Sequence, residues 1–211
     1  VVDTGSSDRT VEIAREMGAK IFSFPWINDF AAAKNFAIDQ AKGDWIAFLD
    51  ADESFTPEDT KKIPEILEYV GDDVDALLIG IADLDENNNI TSGGTMIRFF
   101  VNRPDLRYVG KIHEHLVRKG RSELHLTDAT KQLAFLHTGY QEQEKRDKSK
   151  FERNLNIILE ILKQEPENCD YLGYLGDTYF LDGKNEEAWD AYKKAVAAMP
   201  EKLGVYDQRS S

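Results

Sequence analysis

Short apolar runs alternate with helix-period segments through the first half of the chain. Val1-Val2 reads as the end of a strand. Thr10–Met17 reads as a helix, with Val11, Ile13, Ala14 and Met17 near helical spacing and Ser7 or Asp8 as its cap. Lys20–Phe24 is expected as a strand, Ala31–Ala41 as a helix with Ala32, Phe36 and Ala37 on one side, and Trp45–Leu49 as a buried strand. Thr56-Pro57 begins a helix with a capping hydroxyl and a proline at the first position. Ile63, Ile66, Leu67 and Val70 supply its apolar face, and Gly71-Asp72-Asp73 ends it. Ala76–Ile81 and Met96–Val101 flank the polar turn Asp85–Asn89 as a hairpin, and Leu133–Leu136 is a later strand. Alternating βα units that give way to a hairpin predict an α/β fold with a mixed, mainly parallel sheet.

From Lys148 onward the period is helical throughout. In a tetratricopeptide frame of about 34 residues ending just beyond Pro200, Leu172, Leu175, Gly176, Tyr179, Ala188, Tyr192, Ala195 and Pro200 fall on consensus positions. Gly176 and Ala188 are small where two helices should cross closely, and Asp182-Gly183-Lys184-Asn185 is the turn between them. Phe151–Gln164 resembles the second helix of a preceding repeat. This divides the chain into residues 1–145 and an α-helical, tetratricopeptide-like segment over 146–211. So few repeats cannot bury a solenoid core alone, so the segment must pack on the first domain or continue into further repeats.

The chemistry concentrates in Phe48-Leu49-Asp50-Ala51-Asp52-Glu53. In open α/β sheets ligands bind beyond the carboxyl ends of strands. An Asp-x-Asp in extended geometry there sends both carboxylates to one side, because the strand period is two. Such a pair repels itself unless a cation neutralises it, and hard oxygen ligands suit Mg²⁺ or Mn²⁺ carrying a diphosphate. A solvated turn with an N-cap for the next helix would use the same residues, so a second motif has to decide.

That motif opens the chain: Val1-Val2-Asp3-Thr4-Gly5-Ser6-Ser7-Asp8-Arg9-Thr10 reads as strand end, glycine turn and helix start. Together with the Asp-x-Asp segment it resembles the family-2 glycosyltransferases of GT-A fold. Trp26-Ile27-Asn28-Asp29-Phe30 with Ala33-Lys34-Asn35 looks like the stretch that precedes the Asp-x-Asp strand in that family. Gly110-Lys111-Ile112-His113-Glu114 and His137-Thr138-Gly139-Tyr140 resemble motifs of a bacterial subgroup joined to tetratricopeptide repeats and similar to peptide S-glycosyltransferases. The resemblance implies a nucleotide-diphosphate sugar donor, a peptide, protein or glycan acceptor, and a Mn²⁺ or Mg²⁺ cofactor. It assigns Asp3 to the nucleoside, Lys34 to the diphosphate, Asp50 to ribose or metal, and Asp52 and His137 to the metal. Lys34 stands where the family commonly has Arg, which keeps the charge without the bidentate fork. It also implies a further strand, central in the sheet, before Val1.

Inverting transfer needs a group that takes the acceptor's proton during attack on the anomeric carbon. Glu114 is the candidate base, with His113 behind it. A structural ion pair at Glu114 is the competing reading. Arg98, Arg103 and Arg107 line the acceptor side or are ordinary surface charge.

Composition narrows the partners. A net charge of −13 argues against nucleic acid and anionic membrane, and makes a cation more necessary for binding a nucleotide diphosphate. No apolar run is long enough to span a bilayer. Cys169 is the only cysteine, which excludes an internal disulfide framework and, with no signal peptide ahead of the first strand, suggests a cytoplasmic protein. Two other function classes use the same features. Haloacid-dehalogenase phosphatases also end a strand in Asp-x-Asp, but place it at the start of the domain and follow it with Thr or Val where this chain has Ser54. A non-catalytic peptide-binding module would use the helical repeats alone.

Overall fold

The computed structural model describes residues 1–138 and 148–200. The βα alternation opens with β1 (Val2–Asp3), α1 (Thr10–Glu16), β2 (Phe22–Ser23) and α2 (Phe30–Gln40), then β3 (Trp45–Ala47), β4 (Glu53–Phe55) and α3 (Pro57–Tyr69). At α1 the Asp8 carboxylate accepts the Thr10 N–H at 3.0 Å. At α3 the Thr56 hydroxyl accepts the Asp59 N–H at 3.1 Å, and Pro57 takes the first turn, where its missing N–H costs nothing.

The expected hairpin is present and longer than its apolar core suggested. β5 (Ala76–Leu84) and β6 (Ile90–Val101) pair antiparallel around a turn in which the Asp85 carboxylate accepts the Asn87 and Asn89 N–H groups at 2.8 Å. Then follow β7 (Leu106–Val109), β8 (His115–Arg118), β9 (Leu126–Asp128) and β10 (Ala134–His137). The main sheet has six strands in the order β3-β6-β5-β10-β4, with β9 also on β5. Strands β3, β5, β9 and β10 run in one direction, and β4 and β6 run against them, so the sheet is mixed, with four of its six strands pointing the same way. Strands β1 and β2 form a separate parallel pair, and β7 and β8 an antiparallel one.

The described residues group into two compact units. The first holds 1–26, 31–109 and 114–138, with apolar clusters on the main sheet. Ile38, Ile46, Ala76, Phe100 and Leu106 belong to one cluster; Leu77, Ile79, Phe99, Leu133 and Phe135 belong to another. Phe100 and Phe135 are wholly buried, each contributing about 1.5–3 kcal/mol relative to exposure.

The second unit holds 27–30, 110–113 and 148–200, with α4 (Lys148–Gln164), α5 (Cys169–Leu181) and α6 (Asn185–Ala198). Helices α5 and α6 form a hairpin closed by Gly183 at φ +77. A methyl group on Gly176 would meet the Tyr192 ring at 2.3 Å, which explains the need for a small residue there. Cys169 is buried and not in a disulfide. Among the described residues no helix is long and apolar enough to cross a membrane. The boundary expected at 145/146, and Gly139 and Tyr140 of the His-Thr-Gly-Tyr motif, lie outside the described residues.

Candidate functional site

The strand carrying the acidic motif ends earlier than its apolar run suggested. β3 stops at Ala47, and Asp50–Glu53 forms a turn into β4. The Glu53 N–H donates to the Asp50 carbonyl at 3.1 Å, and the Asp50 N–H donates to the Glu53 carboxylate at 3.0 Å. The expectation of two carboxylates projected to one side by strand period is therefore corrected: period-two geometry does not carry through a turn. Asp50 and Asp52 instead find different partners.

The partner of Asp50 is Arg98, on β6. Strand β3 pairs with β6, and the Phe48 N–H donates to the Arg98 carbonyl at 2.9 Å, which brings this arginine beside the turn. Its Nη2 donates to Asp50 Oδ2 at 3.0 Å and also to Glu53 Oε1, while its guanidinium lies 5.3 Å from the Phe135 ring centre. Arg98 is only 7% exposed, so it is not ordinary surface charge. Arg103 and Arg107 do form half-exposed ion pairs, with Asp105 and Asp39 respectively.

Asp52 faces His137. Its Oδ2 lies 3.4 Å from His137 Nε2, and its backbone carbonyl accepts the Thr138 N–H at 3.1 Å. The other imidazole nitrogen, Nδ1, is 2.8 Å from Asp83 Oδ1, and the Ser92 hydroxyl donates to Asp83 Oδ2. Burial pushes the Asp83 carboxyl up, but Ser92 and His137 outweigh it and hold it below the ordinary carboxylate range. Among the described residues no three or more His, Cys, Asp or Glu side chains converge on one metal position. A cation here would thus take Asp52 and His137 from the protein and fill its remaining positions from a bound diphosphate or water. A carboxylate oxygen facing an imidazole nitrogen whose far side is fixed would supply two of the donors that a Mn²⁺ or Mg²⁺ ion takes.

Lys34 and Glu114 meet directly, Nζ to Oε1 at 2.7 Å, with both side chains largely buried. The ammonium also lies over the Phe48 and Tyr108 rings, 5.0 and 4.9 Å from their centres. Helix α2 presents Lys34 here, one residue before Asn35, whose amide exchanges two hydrogen bonds with the backbone of Tyr108. Burial pushes the Tyr108 phenol up to about 12, with Glu114 adding to the rise and Arg98 opposing it.

Asp3 closes its own turn, accepting the Ser6 N–H at 3.0 Å and the Gly5 N–H at 3.2 Å, with Gly5 at φ +120. Hydrogen bonding from the Ser6 side chain, then from the Ser6 and Gly5 N–H groups, holds its carboxyl below the ordinary range. His113 belongs to the second unit. At φ +53 it stacks on Tyr174 of α5, ring centres 3.9 Å apart and planes 18° from parallel, so its ring has a packing role there.

The structure therefore joins Lys34 with Glu114, and Asp52 with His137, while Arg98 holds Asp50. Asp83, Ser92 and Tyr108 were not singled out by sequence reasoning, and Arg98 was weighed as lining the acceptor side or as surface charge, not as the partner of Asp50 and Glu53. Asp83 was hidden because the apolar run was read as ending at Ile81, which left it between that strand and the polar turn Asp85–Asn89. A lone Asp flanked by Ala82 and Leu84 at the end of a buried strand was the available signal.

The family described as Glycosyl transferase family 2 matches residues 1–121. The SPbeta prophage-derived glycosyltransferase SunS of Bacillus subtilis (strain 168) is 32% identical over 201 residues, covering 93% of this chain and 46% of that protein. A TPR repeat-containing protein of Synechococcus elongatus is 32% identical over 197 residues, 90% of this chain and 48% of that protein. The chain thus spans about half the length of the curated relatives it matches. The crystal structure of S. aureus TarS has a TM-score of 0.51 at 15% identity, over 95% of this chain and 43% of that one, a likeness of fold alone. With a family match over more than half its length, on the mixed α/β sheet that carries the Asp-x-Asp turn, this chain belongs to glycosyl transferase family 2.

Proposed function

We propose that the intact protein transfers a sugar from a nucleotide-diphosphate donor to a peptide, protein or glycan acceptor with inversion, in the cytoplasm. The observation that carries the reading is Asp52 Oδ2 set opposite His137 Nε2 beside the Asp-x-Asp turn. Mn²⁺ or Mg²⁺ would be held by these two side chains and would neutralise diphosphate charge that a chain of net charge −13 otherwise repels.

The remaining roles follow from the chain's own groups. Asp3 accepts the Gly5 N–H on Oδ2 and the Ser6 N–H on Oδ1, and each oxygen keeps acceptor capacity for the nucleoside. Asp50, steadied by Arg98, has its second oxygen for a ribose hydroxyl. Lys34 supplies positive charge to the diphosphate. Glu114 accepts the proton of the acceptor nucleophile as that atom bonds to the anomeric carbon and the bond to the departing diphosphate breaks. His113, whose ring stacks on Tyr174, is the second candidate for this proton. The domain division proposed is a transferase domain over 1–145 and a helical-repeat segment over 146–211, the latter recruiting the acceptor.

Calorimetric titration of UDP with and without Mn²⁺, in wild type and Asp52→Ala, tests this reading. Mn²⁺ should tighten UDP binding in wild type and have no such effect in the variant. Equal metal dependence in both would remove Asp52 from the site.

A further inference from the structure

His137, Asp83 and Ser92 stand side by side on three adjacent strands. The β10–β5 register pairs His137 with Asp83, and the β5–β6 register pairs Asp83 with Ser92. Such neighbours have Cβ atoms about 4.5–5.5 Å apart, close enough for short polar side chains to meet without help from a loop. They do meet: His137 Nδ1 is 2.8 Å from Asp83 Oδ1, and Ser92 donates to the other oxygen.

Asp83 is an expensive choice for this position. It is 8% exposed on a strand whose Leu77 and Ile79 are wholly buried. Desolvating a carboxylate costs several kcal/mol, and a buried ion pair is weak evidence for stability, because a well-packed apolar group does as well. What an apolar residue could not do is accept a hydrogen bond from Nδ1–H. In the neutral imidazole, a carboxylate against Nδ1 requires the hydrogen on that nitrogen, which leaves the lone pair on Nε2. That lone pair faces Asp52 Oδ2 at 3.4 Å, so two electron-rich atoms point at each other in an arrangement that a cation completes.

We propose that Asp83, backed by Ser92, is a positioning residue that locks His137 with its proton on Nδ1 and so presents Nε2 beside Asp52 as a two-residue seat for a divalent cation. The cation part rests on the metal reading above, whereas the lock does not. Asp83→Asn is nearly isosteric but lets the amide donate to Nδ1 and reverse the tautomer. Ser92→Ala frees one Asp83 oxygen without touching the imidazole.

The experiment combines ¹⁵N NMR of the imidazole nitrogens, assigned with His137→Gln, and Mn²⁺ titration followed by electron paramagnetic resonance, with and without UDP. Wild type should show His137 protonated at Nδ1. In Asp83→Asn that state should be lost or mixed, with Mn²⁺ affinity falling about 10–100-fold. Ser92→Ala should shift both readouts the same way by less, and it carries the test if Asp83→Asn does not fold. Wild-type His137 protonated at Nε2, or an unchanged tautomer and Mn²⁺ affinity in both folded variants, overturns the proposal. A locked His137 in a wild-type protein that takes up no Mn²⁺ overturns the metal reading and the seat, and leaves the lock standing.

Discussion

Lys34 Nζ lies 2.7 Å from Glu114 Oε1, at a place where the ammonium also faces the Phe48 and Tyr108 rings. The residue proposed to meet the diphosphate and the residue proposed as base are thus partners before any substrate arrives. This pairing gives the two substitutions different signatures. Glu114→Gln keeps the shape and a hydrogen-bond acceptor but cannot take a proton, so turnover should fall roughly 10²–10⁴-fold with little change in nucleotide affinity. Lys34→Met should weaken nucleotide binding first. Steady-state kinetics on the intact protein, with donor hydrolysis standing in for an acceptor, separates them. Near-normal turnover in Glu114→Gln would make the ion pair purely structural.

Arg98 carries a second prediction, on stability. Its guanidinium neutralises Asp50 and Glu53, and the Glu53 side chain is 2% exposed. Arg98→Met keeps much of the stem but leaves a buried carboxylate uncompensated, an effect of about 3–5 kcal/mol. Denaturant melts measure it. A loss below about 1 kcal/mol would show the pair to be as weakly coupled as an exposed one.

Gly176 sets two helix-related effects against each other. Alanine in a helix interior is worth about 1 kcal/mol over glycine, but the new methyl would lie 2.3 Å from the Tyr192 ring. That ring is not free to swing aside, because its hydroxyl donates to Asp177 at 2.7 Å. Overpacking of this kind costs about 1–3 kcal/mol, so Gly176→Ala should lower the melting temperature. Adding Tyr192→Leu should restore most of the loss. A Gly176→Ala protein that melts higher than wild type would mean that the α5–α6 contact is looser than described.

Two strand edges predict association. β1 pairs with β2 alone, and β3 ends the six-stranded order, so each leaves an unpaired side among the described residues. Open edges template pairing with other chains. Light scattering across a concentration series should show mass rising with concentration. A constant monomer mass at high concentration would mean that these edges are covered.

Much of this protein was legible in its sequence because the signals are local. The Thr56-Pro57 cap and the Asp85–Asn89 hairpin turn depend on neighbours a few positions away, and the chemistry of hydroxyl, proline and carboxylate determines them. The motifs that resemble the glycosyltransferases are local too, and they identified the family. The pairing of site residues is not local. Asp50 with Arg98, and His137 with Asp83, are 48 and 54 residues apart. Strand order and register alone decide that each pair meets. A turn after Ala47, which the apolar run to Leu49 concealed, separated two carboxylates that strand period would have kept together. Residue identities therefore set which groups could act, and only the sheet's topology decided which of them face each other, because side-chain contacts across strands depend on register and not on sequence distance.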